Sequence, residues 1–116
     1  MPSTTTCKTG DVVLVRFPFT DLTTHKRRPV LVVSPNEFSA RHGDIVIVPL
    51  TSRAQGREFQ LDKWREAGLI NPTWLKALIA TVAESLVEKR LGSLHPKDEG
   101  KVASVLGTLI EAKFIG

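Results

Sequence analysis

At 116 residues the chain has the length of one domain, long enough to bury a core with no help from disulfides or structural metals. Its one cysteine, Cys7, excludes an internal disulfide and points to a reducing compartment; no apolar run approaches the roughly 20 residues of a membrane span, and no signal peptide is visible, so a cytoplasmic protein without membrane contact is expected. The net charge of +4 is concentrated in residues 1–58, which carry eight basic and five acidic side chains, a balance that permits a polyanionic ligand without demanding one.

Residues 1–9 are polar and aperiodic and predict a loosely held tail, with a single domain over 10–116. Gly10-Asp11 punctuates the start of a β-branched run, residues 12–17, which reads as a strand ended by Pro18. Residues 18–28 have neither helical nor alternating pattern and read as a long loop, the kind that carries function. Residues 29–34 are apolar on both faces, as in a central or barrel-closing strand. A polar connection over 35–43 leads to a third strand at 44–50, and a second polar loop spans 51–57. Residues 58–61 read as short and extended, residues 63–68 as one helical turn stopped by Gly68, and Asn71-Pro72-Thr73 as a turn. Residues 74–82 read as one strand, while 84–91 fit either a strand end or a short helix. The last element is an amphipathic helix: Pro96 suits its first position, Asp98 and Glu99 suit the positive end of its dipole, and Val102, Val105, Leu106, Leu109, Ile110 and Phe114 form one stripe. Gly100 and Gly107 each cost this helix about 1 kcal/mol against alanine, so packing must hold it. Short strands and one closing helix predict an all-β-dominated fold, a small barrel capped by a helix.

Chemistry gathers at two strand ends. Lys26-Arg27-Arg28-Pro29 runs into the buried Val30-Leu31-Val32-Val33-Ser34, and Ile45-Val46-Ile47-Val48 ends in Pro49-Leu50-Thr51-Ser52. Two buried strands with polar ends describe a site on a rigid floor. Arginine is permanently charged and donates through a planar fork that fits phosphate, so a phosphate-bearing ligand is expected there.

The order of motifs resembles the PemK/MazF family of bacterial toxins. The matching pieces are Gly10-Asp11, Phe17-Pro18-Phe19-Thr20-Asp21, the stretch from Lys26 to Ser34, Val48-Pro49-Leu50-Thr51-Ser52, Ala67-Gly68-Leu69 and Arg90-Leu91-Gly92-Ser93-Leu94. The resemblance implies an SH3-like barrel acting as a homodimer, and a metal-independent, cofactor-free, sequence-selective endoribonuclease that cleaves single-stranded mRNA. It also implies a cognate antitoxin whose acidic segment covers the RNA groove, with operator DNA met only through the antitoxin complex. The family's usual catalytic pair falls on Arg28 and Thr51. Thr20, His25, Lys26, Arg27, Ser52, Arg53 and Lys76 are the expected nucleic-acid contacts.

Attack by the neighbouring 2′-hydroxyl needs no water and no metal, but the pentacoordinate phosphorus must be stabilised, and a fixed guanidinium can do that. Arg28 is expected as a transition-state clamp, since a pKa above about 12 leaves it almost no neutral form to act as a base. The competing expectation is a strand-edge arginine paired with Asp11 or Asp21. Thr51 serves either the phosphoryl oxygen or the 2′-hydroxyl, against the plainer role of a local turn residue. His25 can shuttle a proton or simply be solvated; His42 and His95 read as turn and helix-start residues, and metal binding is not expected. Trp74 reads as core before base-stacking platform, and one of Phe17 and Phe19 as core. The chain departs from family members that carry an acid near Ala77, for no Asp or Glu lies between Glu66 and Glu84. Two other readings use the same fold: a toxin that poisons gyrase by protein binding, and a non-catalytic nucleic-acid-binding barrel.

Overall fold

The computed structural model describes residues 7–16 and 27–110. Its strands are β1 (Asp11–Arg16), β2 (Arg27–Val32), β3 (Asp44–Thr51), β4 (Trp74–Leu75), β5 (Ala80–Ala83) and β6 (Val87–Ser93); the helices are α1 (Asn36–His42) and α2 (Pro96–Ile110). Val and Ile make up half of β1 and of β3 and, with Leu31, the buried half of β2, where branched side chains fit a pleated surface. All pairing is antiparallel, in the order β4-β3-β2-β1-β6, with β5 also on β3. The fold is strand-dominated as predicted, and among the described residues its hydrogen-bonded path stays open at β4 and β6.

Strand alternation gives the sheet two apolar faces. One presents Val12, Leu31, Val48, Leu50 and Leu75 to Leu61, Ala67, Val102 and Val105, so α2 and the segment before β4 cover it. The other carries Val13, Val15, Val30, Val32, Ile45 and Ile47, joined by Val82 and Cys7. Cys7, read from the sequence as part of a loose tail, is only 2% exposed. Its backbone N–H donates to Glu84 at 2.8 Å, tying the start of the described chain to the turn before β6.

Four local expectations are corrected. The polar connection after β2 contains α1, with Glu37 in its first turn, Arg41 and His42 in its last, and Gly43 closing it at φ 72°. Only Ser39 of α1 is buried, so no apolar stripe announced it. The stretch expected as extended begins with a 3₁₀ turn, Arg57–Phe59. The strand expected over 74–82 is two strands, because three steps along β3, Leu50 to Ile47, face five steps from Leu75 to Ala80. The surplus is taken up in a tight turn where Leu78 N–H donates to the Lys76 carbonyl at 2.7 Å. In α2, Val102 and Val105 are buried as expected, whereas Ile110 is 65% exposed and falls off the stripe; Phe114 lies outside the described residues. His95 does start α2, its Nδ1 accepting the Lys97 N–H at 3.1 Å.

The covered face is closed by backbone contact as well as by side chains. A Cβ on Gly68 would lie 2.1 Å from the Leu91 carbonyl oxygen, and one on Gly92 2.3 Å from that of Ala67. Gly68 also needs its φ of 92° to end the turn over residues 62–68. The start of that turn is capped from α2: buried Asp98 accepts the Asp62 N–H at 3.0 Å and the Lys63 N–H at 2.9 Å, one on each carboxylate oxygen.

Candidate active site

The register of β2 on β3 pairs Val30 with Pro49; continued outward by two residues, it sets Arg28 opposite Thr51. Thr51 is paired on its other side with Trp74. Lys76 continues that ladder, its N–H donating to the Pro49 carbonyl at 2.9 Å. Arg28 and Thr51 therefore extend the face that carries Val30, Val32 and Ile47, at the point where apolar side chains give way to polar ones. Arg28 is exposed and Thr51 half-buried.

Around this pair open two adjoining cavities. The larger, about 540 Å³, is lined by Arg28, Thr51, Ser52, Arg53, Gln55 and Lys76 with Pro49 as floor. The smaller, about 250 Å³, shares Arg28, Thr51 and Ser52 and adds Arg27, with Leu69, Ile70 and Asn71 as its far wall. Among the described residues four cations and no carboxylate line the two together. That imbalance suits a ligand supplying its own negative charge.

The Thr51 hydroxyl has a defined orientation. It accepts the Arg53 N–H at 3.0 Å, so Thr51 does form the local turn weighed as its plainer role. With one lone pair engaged, its O–H remains free to donate, and Thr51 lines both cavities. Gln55 donates to the Arg53 carbonyl at 3.1 Å and braces the same turn.

The two adjacent arginines differ. Arg27 meets Glu88 of β6 at 2.5 Å, and Arg16 meets the other oxygen of that carboxylate at 3.0 Å. Arg28 has no carboxylate partner among the described residues, and Asp11, one alternative partner weighed for it, is instead bound by Arg90 at 3.1 Å. Asp21, the other, lies outside the described residues, as do Thr20, His25, Lys26, Phe17 and Phe19. Of the expected site residues that are described, Arg28, Thr51, Ser52, Arg53 and Lys76 converge on one cavity and Arg27 on its neighbour. Trp74 is half-buried, and among the described residues it is in neither apolar cluster.

Ala77 is exposed, and the charge beside it is that of Lys76, not an acid. Among the described residues no group of His, Cys, Asp or Glu is arranged to hold a metal ion, and no helix is long and apolar enough to cross a membrane. Sequence reasoning missed Gln55, the wall of Leu69, Ile70 and Asn71, and Glu88. Ile70 offered a signal, an apolar residue next to an Asn-Pro turn with no periodic partner.

Several solved structures share this fold. Mycobacterium tuberculosis toxin MazF-mt6 superposes with a TM-score of 0.73 at 16% identity, over 90% of this chain and 99% of its own. MazE-MazF (Form-II) from Deinococcus radiodurans gives 0.76 at 25% identity, over 95% and 100%. An endoribonuclease in complex with its cognate antitoxin from Mycobacterial species gives 0.68 at 22%, over 97% and 100%. No curated protein sequence matches the chain significantly. Residues 8–110 match the family described as PemK-like, MazF-like toxin of type II toxin-antitoxin system, and with that span the chain belongs to this family of toxins.

Proposed function

We propose that this toxin is an endoribonuclease that cuts single-stranded mRNA in a sequence-selective, metal-independent reaction in the cytoplasm and so arrests growth. The observation that carries the proposal is the convergence of Arg28, Thr51, Ser52, Arg53 and Lys76 on one cavity without a carboxylate. In the proposed step the ribose 2′-oxygen attacks the adjacent phosphorus and its proton departs. The bond to the 5′-oxygen breaks, that oxygen takes up a proton, and the products are a 2′,3′-cyclic phosphate and a 5′-hydroxyl. Arg28 and the Thr51 O–H face the phosphoryl oxygens on which charge develops, while Arg53 and Lys76 hold the phosphate on the cavity side. No lining residue among those described is an acid, which supports catalysis by charge stabilisation more than by a carboxylate base.

A homodimer and a cognate acidic antitoxin belong to the same proposal. Solved relatives include an endoribonuclease with its cognate antitoxin, and three cations without a carboxylate partner among the described residues, Arg28, Arg53 and Lys76, suit an acidic peptide as well as RNA. Purified protein incubated with mixed-sequence RNA in EDTA should cut it and leave cyclic phosphate ends. Binding without cleavage would select a non-catalytic module. Neither, with growth arrest intact, would select a protein-directed poison such as a gyrase toxin.

A further inference from the structure

The far wall of the smaller cavity has a different chemistry from its floor. Ile70 is 89% exposed, the most exposed large apolar side chain among the described residues. A single exposed apolar residue is ordinary on a protein surface, but this one stands on a segment fixed at both ends. Gly68 is pressed on the Leu91–Gly92 backbone, and Leu69 N–H donates to the Trp64 carbonyl at 3.1 Å. On the other side Thr73 Oγ1 donates to the Asn71 carbonyl at 2.7 Å, and Leu61 N–H to the Thr73 carbonyl at 3.0 Å. Asn71 thus has its backbone carbonyl engaged by Thr73, and it lines the cavity beside Ile70.

We propose that Ile70 and Asn71 form a base-recognition subsite that selects the nucleotide next to the phosphate held by Arg28 and Thr51. The inference rests on the endoribonuclease proposal and deepens it. The two cavities share Arg28, Thr51 and Ser52, so a strand whose phosphate sits there sends one neighbour toward Arg53 and Lys76 and the other toward this wall. The first side offers charge and suits backbone. The wall offers an apolar surface for the π-face of a base and, at Asn71, a paired donor and acceptor for its edge, a combination that reads adenine in two hydrogen bonds. At about 250 Å³ the cavity takes one base and little more. A wall held in place before binding loses little entropy when it is filled.

The test uses the full-length protein with Ile70→Ser and Asn71→Ala. Cleavage sites of a random-sequence RNA pool are mapped for each variant, together with affinities for 2′-O-methyl oligonucleotides of A, C or U, which lack the attacking hydroxyl. Discrimination among bases at one position flanking the cut should fall by about 10-fold, while the salt dependence of binding is unchanged. Unchanged site profiles, a uniform slowing at every site, or an altered oligomeric state in Ile70→Ser would overturn the subsite. If the wild type cleaves nothing, the endoribonuclease proposal fails by itself. The oligonucleotide series then still decides: a base ranking flattened by both variants supports the subsite, and equal wild-type affinity for all three overturns it.

Discussion

The covered face of the sheet and the Arg28–Thr51 end of the β2–β3 ladder are built on opposite terms. Toward the covered face, Gly68 meets Gly92 backbone to backbone, buried Asp98 satisfies two N–H groups, and Val102 and Val105 seal the strands. Toward the cavity, Arg28, Arg53 and Lys76 share space with no acid to balance them among the described residues. Like charges held together oppose folding slightly, and the dense packing elsewhere offsets this. Stability and activity are therefore expected to separate by location, and substitutions can break that separation.

The largest expected effect is at the charged end. Arg28→Ala should lower the cleavage rate by about 10²–10³ with no change in thermal midpoint, since an exposed guanidinium contributes charge and little packing. Single-turnover rates alongside calorimetry check both halves; a destabilised variant would show the two ends to be coupled. Gly92→Ala should do the reverse, costing about 3 kcal/mol in urea titrations because its Cβ meets a backbone carbonyl that cannot swing aside. Asp98→Ala comes next, at about 2 kcal/mol, by leaving the Asp62 and Lys63 N–H groups unpaired. Gly107→Ala has the opposite sign: nothing lies within 4 Å of an added Cβ, so the helix should gain about 1 kcal/mol.

The smallest effect at neutral pH concerns Cys7. Burial first, and then the neighbouring Glu84 carboxylate, pushes its thiol from 9.0 up to about 12. A folded-state value raised in this way leaves stability whole below pH 9 and erodes it between pH 9 and 12. Urea titrations at pH 8 and 11 should show an alkaline loss in the wild type that Cys7→Ala lacks. An equal loss in both would assign it to other groups.

What was legible in the sequence follows from how local the causes are. Val12–Val15, Val30–Val32 and Ile45–Val48 announce strands through their own branched side chains, and Pro96, Asp98 and Val102 announce α2. The pairing of Arg28 with Thr51 came from the family resemblance, and the register explains it: two strands of matched sum end together. α1 escaped notice because one buried serine makes no pattern. The break between β4 and β5 depends on where each meets β3, which no residue of 74–82 records by itself. The same holds for Asp98, read as a helix-dipole residue and found capping a turn some 36 positions away. Glu88 joins the site through tertiary proximity alone, while Ile70 left only the faint signal of an apolar residue beside a turn.

The Gly68–Gly92 contact has a consequence for how such a toxin diversifies. Its footing is made of main chain, so the identity of the side chains just beyond it does not determine whether it forms. Ile70 and Asn71 are exposed, unlike Leu69, which packs against the core, so those two can be rewritten while the footing stays beside an unchanged Arg28 and Thr51. Under the proposed base-recognition role, a lineage, or an engineer working with a two-position library, is expected to change target preference while keeping the fold.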